Sequence, residues 1–227
     1  MAFDANTGTL LVLSKADDDA ERSRSSSRRR REFGSLVSLG RCNNGWVEVQ
    51  RLPIELPTDS YGGSGISVID SRILLGHCED DKLYAIDVNA DHSLHSVGTI
   101  FLERKFRAFA CTRTGTDTLV AVLHIDPASL FLYRLTQLQL SKLDAFDLID
   151  SDAQLLFRND VLLATVENDD TVCSEIVELR VSFQKFSRVR KILNSNADIQ
   201  FDYWCLSGQR LAVWDSHSDD ILLYAFE

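Results

Sequence analysis

At 227 residues, with 44% hydrophobic and 26% charged side chains, the chain has a globular composition and is long enough to bury a core without metal or disulfide support. A formal charge of −10 and a pI near 5.0 argue against a general nucleic-acid binder, which would carry a basic domain. The opening MAFDANTGTLLVLSK has no basic stretch ahead of a long apolar core, and no run approaches the roughly 18 apolar residues of a membrane helix, so neither a secretory signal nor membrane attachment is expected.

Taken in chain order, the sequence is a succession of short strand-like runs bounded by Gly, Asn, Asp and Ser. The first unit carries strands near Leu10–Leu13 and Leu36–Leu39 and another near 46–52. The second reads GISVID, RILLGH, KLYAID and HSVGTIFL; the third FRAFACT, TLVAVLH, SLFLYRL and LSKLDAFDL. The fourth reads AQLLFRN, DVLLATV, EIVELRV and FSRVRKIL, with its last strand near 186–193. The fifth reads IQFDYWCL, RLAVWD and ILLYAF and stops one strand short. No amphipathic helix of ten or more residues interrupts them, because acid-rich turns break any helical period.

These units are copies of one another. HCEDDKLYAID (His77–Asp87) and HSDDILLYAFE (His217–Glu227) share most of their pattern. Aligning the third strands places Leu36, Leu83, Leu130, Ile176 and Leu223 in register, at intervals of 47, 47, 46 and 47 residues. About four strands per 40–50 residues is the period of a β-propeller blade. Asp81 before Lys82-Leu83-Tyr84-Ala85, and Ile86-Asp87 where a Trp-Asp would end the strand, resemble the WD40-like propellers in a degenerate form. Tyr133-Arg134, Leu179-Arg180 and Phe226-Glu227 depart from that ending, and the Gly-His signature is missing. The resemblance implies an all-β fold over residues 1–227: a single β-propeller-like domain of about five four-stranded blades, the last incomplete. It stands alone or as part of a larger six- or seven-bladed ring. Met1–Asp4 is short for a strand that would complete the last blade.

Residues 16–31 (ADDDAERSRSSSRRRR) interrupt the first unit between its second and third strands. The insertion, about 16–32, cannot bury apolar surface, so a disordered loop is expected. Arg28, Arg29, Arg30 and Arg31 also fit a nuclear localisation signal. Ser25 and Ser27 follow arginines by three residues and, with Ser23, fit a phosphorylation switch. Each phosphate would add about −1.5 to −2 charges and offset the arginines. No aromatic residues interleave for base stacking, which disfavours RNA contact.

His77, His124 and His217 share one place in the repeat, six residues before the aligned leucine. Acids accompany them: Asp80, Asp81, Asp126, Asp169, Asp219 and Asp220. Such side chains can ligate a metal, but Asp also favours turns by bonding nearby backbone, and the spacing from strand to His varies, which would scatter ligands. No metal or cofactor is therefore assigned. The acids are expected instead to meet a basic protein or peptide, with the histidines as secondary contacts.

The cysteines (Cys42, Cys78, Cys111, Cys173 and Cys205) are scattered, odd in number and never paired as CxxC, so reduced thiols in the cytoplasm and/or nucleus are expected. No GxSxG, P-loop, HExxH or EF-hand loop is present. Gly62-Gly63-Ser64-Gly65 precedes a strand and reads as a blade connector; Trp46, Trp204 and Trp214 read as blade packing, where one exposed Trp would mark a contact hot spot. The leading expectation is a non-enzymatic scaffold working in a complex with other subunits and regulated through the Arg/Ser loop. Two alternatives stand beside it. One is a metal-dependent small-molecule hydrolase of the lactonase-like propeller type, with Asn168 and Asp126 as candidate ligands; the other is a nuclear RNA-associated scaffold.

Overall fold

The computed structural model describes residues 1–15, 32–43, 45–56, 64–78, 80–125, 127–146, 154–158, 160–168, 173–182, 184–194, 201–207, 210–215 and 220–225. Among them there is no helix. The strands fall into five sheets, each built from consecutive strands. The first holds β1 (Ala2–Asp4), β2 (Thr9–Lys15), β3 (Glu32–Cys42) and β4 (Gly45–Leu56). The second holds β5 (Ser64–Ile69), β6 (Arg72–His77), β7 (Lys82–Val88) and β8 (Leu94–Phe101). The third holds β9 (Phe106–Thr114), β10 (Asp117–His124), β11 (Ser129–Thr136) and β12 (Gln139–Phe146). The fourth holds β13 (Leu155–Arg158), β14 (Val161–Asn168), β15 (Cys173–Ser182) and β16 (Lys185–Asn194). The last has three described strands, β17 (Phe201–Ser207), β18 (Arg210–Asp215) and β19 (Asp220–Ala225). This is the blade pattern of a β-propeller, and the repeat alignment placed the third strand of every blade correctly. Met1–Asp4 does not extend the last sheet: β1 pairs with β2, Phe3 opposite Leu10.

The burial pattern follows from having a neighbour on each face. Every residue of β6 after Arg72 is buried, as are the last six residues of β10. A strand covered on both faces needs no polar alternation, which is why RILLGH and TLVAVLH read as continuous apolar runs. The fourth strand β8 mixes exposed and buried residues and β12 has exposed and half-buried ones only, as the solvated outer edge of a blade requires. Register shifts interrupt the pairing of third with fourth strand in the first, second and fourth blades, at Ser38/Leu39, Ala85/Ile86 and Ile176/Val177. Bulges of this kind add local twist. The β5–β6 hairpin turns on Asp70 and Ser71, both at positive φ, the backbone of a type I′ turn made here without glycine.

By contacts the chain divides into two compact units: Met1–Arg107 with Gly115–Thr118 and Arg134–Ser141, and Ala108–Thr114 with Leu119–Tyr133 and Lys142–Glu227. In the first, Leu11, Leu36 and Ile54 of blade one pack on Ile73, Leu75, Ile86 and Val88 of blade two. In the second, Ala121, Leu123 and Leu130 of blade three pack on Leu162, Ala164, Val177 and Leu179 of blade four. A smaller cluster of Leu119, Leu132 and Val181 with Phe157 and Phe186 lies beside it, and the Phe186 amide donates to Asp144 Oδ2 at 2.7 Å.

Polar clasps complete the junction of blades one and two. Gln50 on β4 donates to the Leu94 carbonyl at 3.3 Å and accepts from the Leu94 amide at 2.6 Å, closing a two-point bridge to β8. At the same end, buried Asp4 accepts from Thr7 Oγ1 at 2.6 Å; Thr7 Oγ1 lies 2.6 Å from Thr9 Oγ1, which lies 2.8 Å from His92 Nδ1. His92 is held at positive φ in a turn where the Ser93 hydroxyl and amide bind Asp91 and hold its carboxyl below the usual range. On the second blade, Arg72 and Asp87 form a paired guanidinium–carboxylate bridge at 2.7 and 3.0 Å, so the acid standing in the WD40-like place is an ion-pair partner of β6.

Gln50→Ala leaves both Leu94 backbone groups without their side-chain partner and is expected to destabilise by about 1–3 kcal/mol, measured by urea denaturation. Leu75→Ala, at a fully buried site between two blades, is expected to cost about 2–5 kcal/mol in the same assay.

Candidate functional site

The candidate residues fall in one kind of connection, between the second and third strands of a blade. In the second blade this turn runs from His77, the last residue of β6, to Lys82, the first of β7. The Asp80 amide donates to the His77 carbonyl at 3.1 Å, and the Asp81 amide to Asp80 Oδ1 at 2.9 Å, the turn chemistry that short acidic side chains supply. The turn is tied to the connection between β8 and β9. The Leu102 amide donates to the Asp81 carbonyl at 2.7 Å and the Phe106 amide to the Asp80 carbonyl at 3.1 Å. Two loops at the same end of the blade are thereby fixed side by side.

His77 is 7% exposed. Its Nδ1 lies 2.7 Å from the Cys78 carbonyl, which can only accept, so Nδ1 carries a proton. Arg107, at the start of β9, donates from Nη1 to the buried Cys78 Sγ at 3.5 Å. Asp80 is largely covered, with its side chain 14% exposed and Lys82 Nζ 3.8 Å from Oδ2. Asp81 is exposed. The same end of the second blade thus brings together one imidazole, two carboxylates and a guanidinium, with Arg104 and Lys105 in the adjoining connection.

The equivalent position in the third blade is a different environment. His124 ends β10 and is fully buried, its Nε2 2.9 Å from the Tyr133 hydroxyl of β11 and its ring packed against Phe131 with centroids 5.0 Å apart. Lys142 Nζ sits 3.4 Å from the Phe131 ring centre. His124 therefore faces the sheet interior and not solvent, which removes it from any surface a partner could touch directly. In the fifth blade Asp220 is exposed at the start of β19 and pairs in register with Asp215.

Asp126, Asp169, His217 and Asp219 lie outside the described residues, as do Ser23, Ser25, Ser27 and Arg28 to Arg31. The described strands on either side of residues 16–31 are β2, ending at Lys15, and β3, beginning at Glu32. Among the described residues no three His, Cys, Asp or Glu side chains converge as a metal site. Asn168, one of the two residues cast as metal ligands, ends β14 and pairs across the sheet with Cys173.

Arg107, Cys78 and Tyr133 were not singled out by the sequence reading. The run Glu103-Arg104-Lys105-Phe106-Arg107 is a local basic cluster in an acidic chain, and that was the available signal. Tyr133 stands nine residues from His124, a separation that becomes a contact only once β10 and β11 pair.

No protein-family model matches the chain, and no curated protein matches it. Solved structures do. A Lactobacillus plantarum protein superposes with a TM-score of 0.59 at 13% identity, over 88% of this chain and 64% of its own. A Bacteroides fragilis "putative 6-phosphogluconolactonase" gives 0.58 at 10% identity, over 89% and 65%. The periplasmic gluconolactonase of Pseudomonas aeruginosa gives 0.53 at 14%, over 87% and 63%. The chain thus spans slightly less than two thirds of the length of the structures it is similar to. At such identities the likeness establishes the fold, a β-propeller of about five described blades, and not WD40 membership in particular. The expectation of a non-enzymatic scaffold is corrected by the same comparison, in which the proteins of this fold with an activity in their names are named as lactonases.

Proposed function

We propose that this chain is a lactonase-like enzyme acting on a sugar lactone. The observation that carries the reading is the superposition of nearly nine tenths of the chain on propellers whose names are gluconolactonase and 6-phosphogluconolactonase. The reaction asks little of a protein. Water adds to the lactone carbonyl, the ring C–O bond breaks, the ring oxygen leaves as a hydroxyl, and the new carboxylic acid ionises with release of one proton.

The end of the second blade offers groups for each requirement. A base to take the proton from water is His77, whose ring is oriented by the contact of Nδ1 with the Cys78 carbonyl. Charge developing on the carbonyl oxygen is stabilised by a cation, and Arg107 lies beside the same turn. Arg104 and Lys105 add positive charge in the next connection and suit an anionic substituent such as a sugar phosphate. Asp80 and Asp81 act chiefly through their backbone carbonyls, which lock the two loops together. Positioning of this kind is worth as much to a hydrolase as the charges themselves, because a small misplacement lowers the rate steeply.

The test is acid release in a pH-stat from glucono-δ-lactone and its 6-phosphate, with and without the purified chain. Acceleration over the buffer rate is expected, with His77→Gln lowering kcat/KM by about a hundredfold or more at an unchanged melting temperature. Hydrolysis no faster than buffer with either lactone ends the proposal.

A further inference from the structure

At the end of the second blade one residue touches both groups to which the hydrolysis is assigned. The Cys78 carbonyl lies 2.7 Å from His77 Nδ1, and the Cys78 sulfur accepts from Arg107 Nη1 at 3.5 Å. The residue is 2% exposed, so both contacts are made away from bulk water. A thiol is a weak acceptor toward a neutral donor, but a charged donor and a buried setting both strengthen the bond.

The backbone on either side of the sulfur is fixed separately. The Asp80 amide donates to the His77 carbonyl at 3.1 Å, closing the turn that contains Cys78. The Phe106 amide donates to the Asp80 carbonyl at 3.1 Å, and Phe106, just before Arg107, is 1% exposed. What remains to be fixed is the guanidinium at the end of its stem. An arginine has many rotamers, and a donor held on a buried acceptor keeps few of them. The repeat supplies a comparison within the molecule. In the third blade the residue after the equivalent histidine is Ile125, whose side chain offers no acceptor, and there the histidine packs against Tyr133 and Phe131.

We propose that Cys78 is a positioning residue of the second-blade site: its carbonyl orients His77, its sulfur holds the Arg107 guanidinium beside the same turn, and base and cation thus share one support. The roles of those two groups rest on the lactonase reading; the contact itself does not. Substitution at position 78 removes the sulfur and leaves the carbonyl, so it acts on Arg107 alone. An interaction made chiefly in the transition state is lost from kcat and not from KM.

The pH-stat assay on the full chain tests this with three variants. Cys78→Ala and Cys78→Val both remove the acceptor, the second while filling the space, and each is expected to lower kcat by roughly tenfold to a hundredfold at unchanged KM. Cys78→Ser keeps an acceptor and is expected to stay within about threefold of wild type. The pH dependence of kcat/KM should keep its position in all three, because the His77 contact is to backbone. Wild-type kcat in Cys78→Ala and Cys78→Val overturns the proposal and leaves the lactonase reading intact. So does a Cys78→Ser variant as slow as Cys78→Ala. If the wild type hydrolyses neither lactone, the lactonase reading falls and the catalytic role with it, and urea denaturation of Cys78→Ala, Arg107→Gln and the double variant judges the contact alone. A double variant no less stable than the less stable single one supports the contact; strictly additive losses overturn it.

Discussion

The structure depends on burying both faces of a small twisted sheet. A four-stranded blade has two apolar surfaces and cannot hide either by itself. Leu11 and Leu36 require Ile73 and Leu75, as Leu123 and Leu130 require Leu162 and Ala164, so each blade is stable only because another stands against it. The same constraint gives central strands such as β6 and β10 their long apolar runs and leaves β12 largely exposed to solvent. It also means that any blade lacking a neighbour advertises the fact through exposed aliphatic side chains.

Turns are the cheapest place in such a fold to put chemistry. The strands fix their ends, and the connection between second and third strand sits against the connection leading to the next blade, as the Asp80 and Asp81 carbonyls show in the second blade. One repeat position can then become two things. At His77 the imidazole caps a strand beside a turn, a guanidinium and carboxylates. At His124 the same position is enclosed by Tyr133 and Phe131 and serves packing. In the third blade the residues that decide this are Phe131 and Tyr133 of the next strand, which enclose the ring.

The acids that the sequence grouped into a partner-binding surface illustrate the limit of counting residue types. Asp80 is spent largely on its own turn and on Lys82, while Asp81 projects from it. Repeated turn chemistry and a repeated binding motif have the same spacing, and a sequence cannot separate them. The scaffold reading rested on that ambiguity and on the absence of a catalytic motif. A propeller brings together groups distant in sequence, as it does Arg107 and Cys78, 29 positions apart, so the absence of a linear motif decides nothing about chemistry.

The sequence by itself determined most of the strands and their grouping into blades. These follow from a period of about 47 residues and from local turn residues, both of which are written along the chain. Leu36, Leu83, Leu130, Ile176 and Leu223 are indistinguishable at that level. Only the tertiary structure decided that four of them are buried and the fifth is not, that His77 and His124 differ, and that Trp46 stands on the surface. The physical reason is that burial is a property of what lies against a residue, and in a stack of blades that neighbour is always on another sheet.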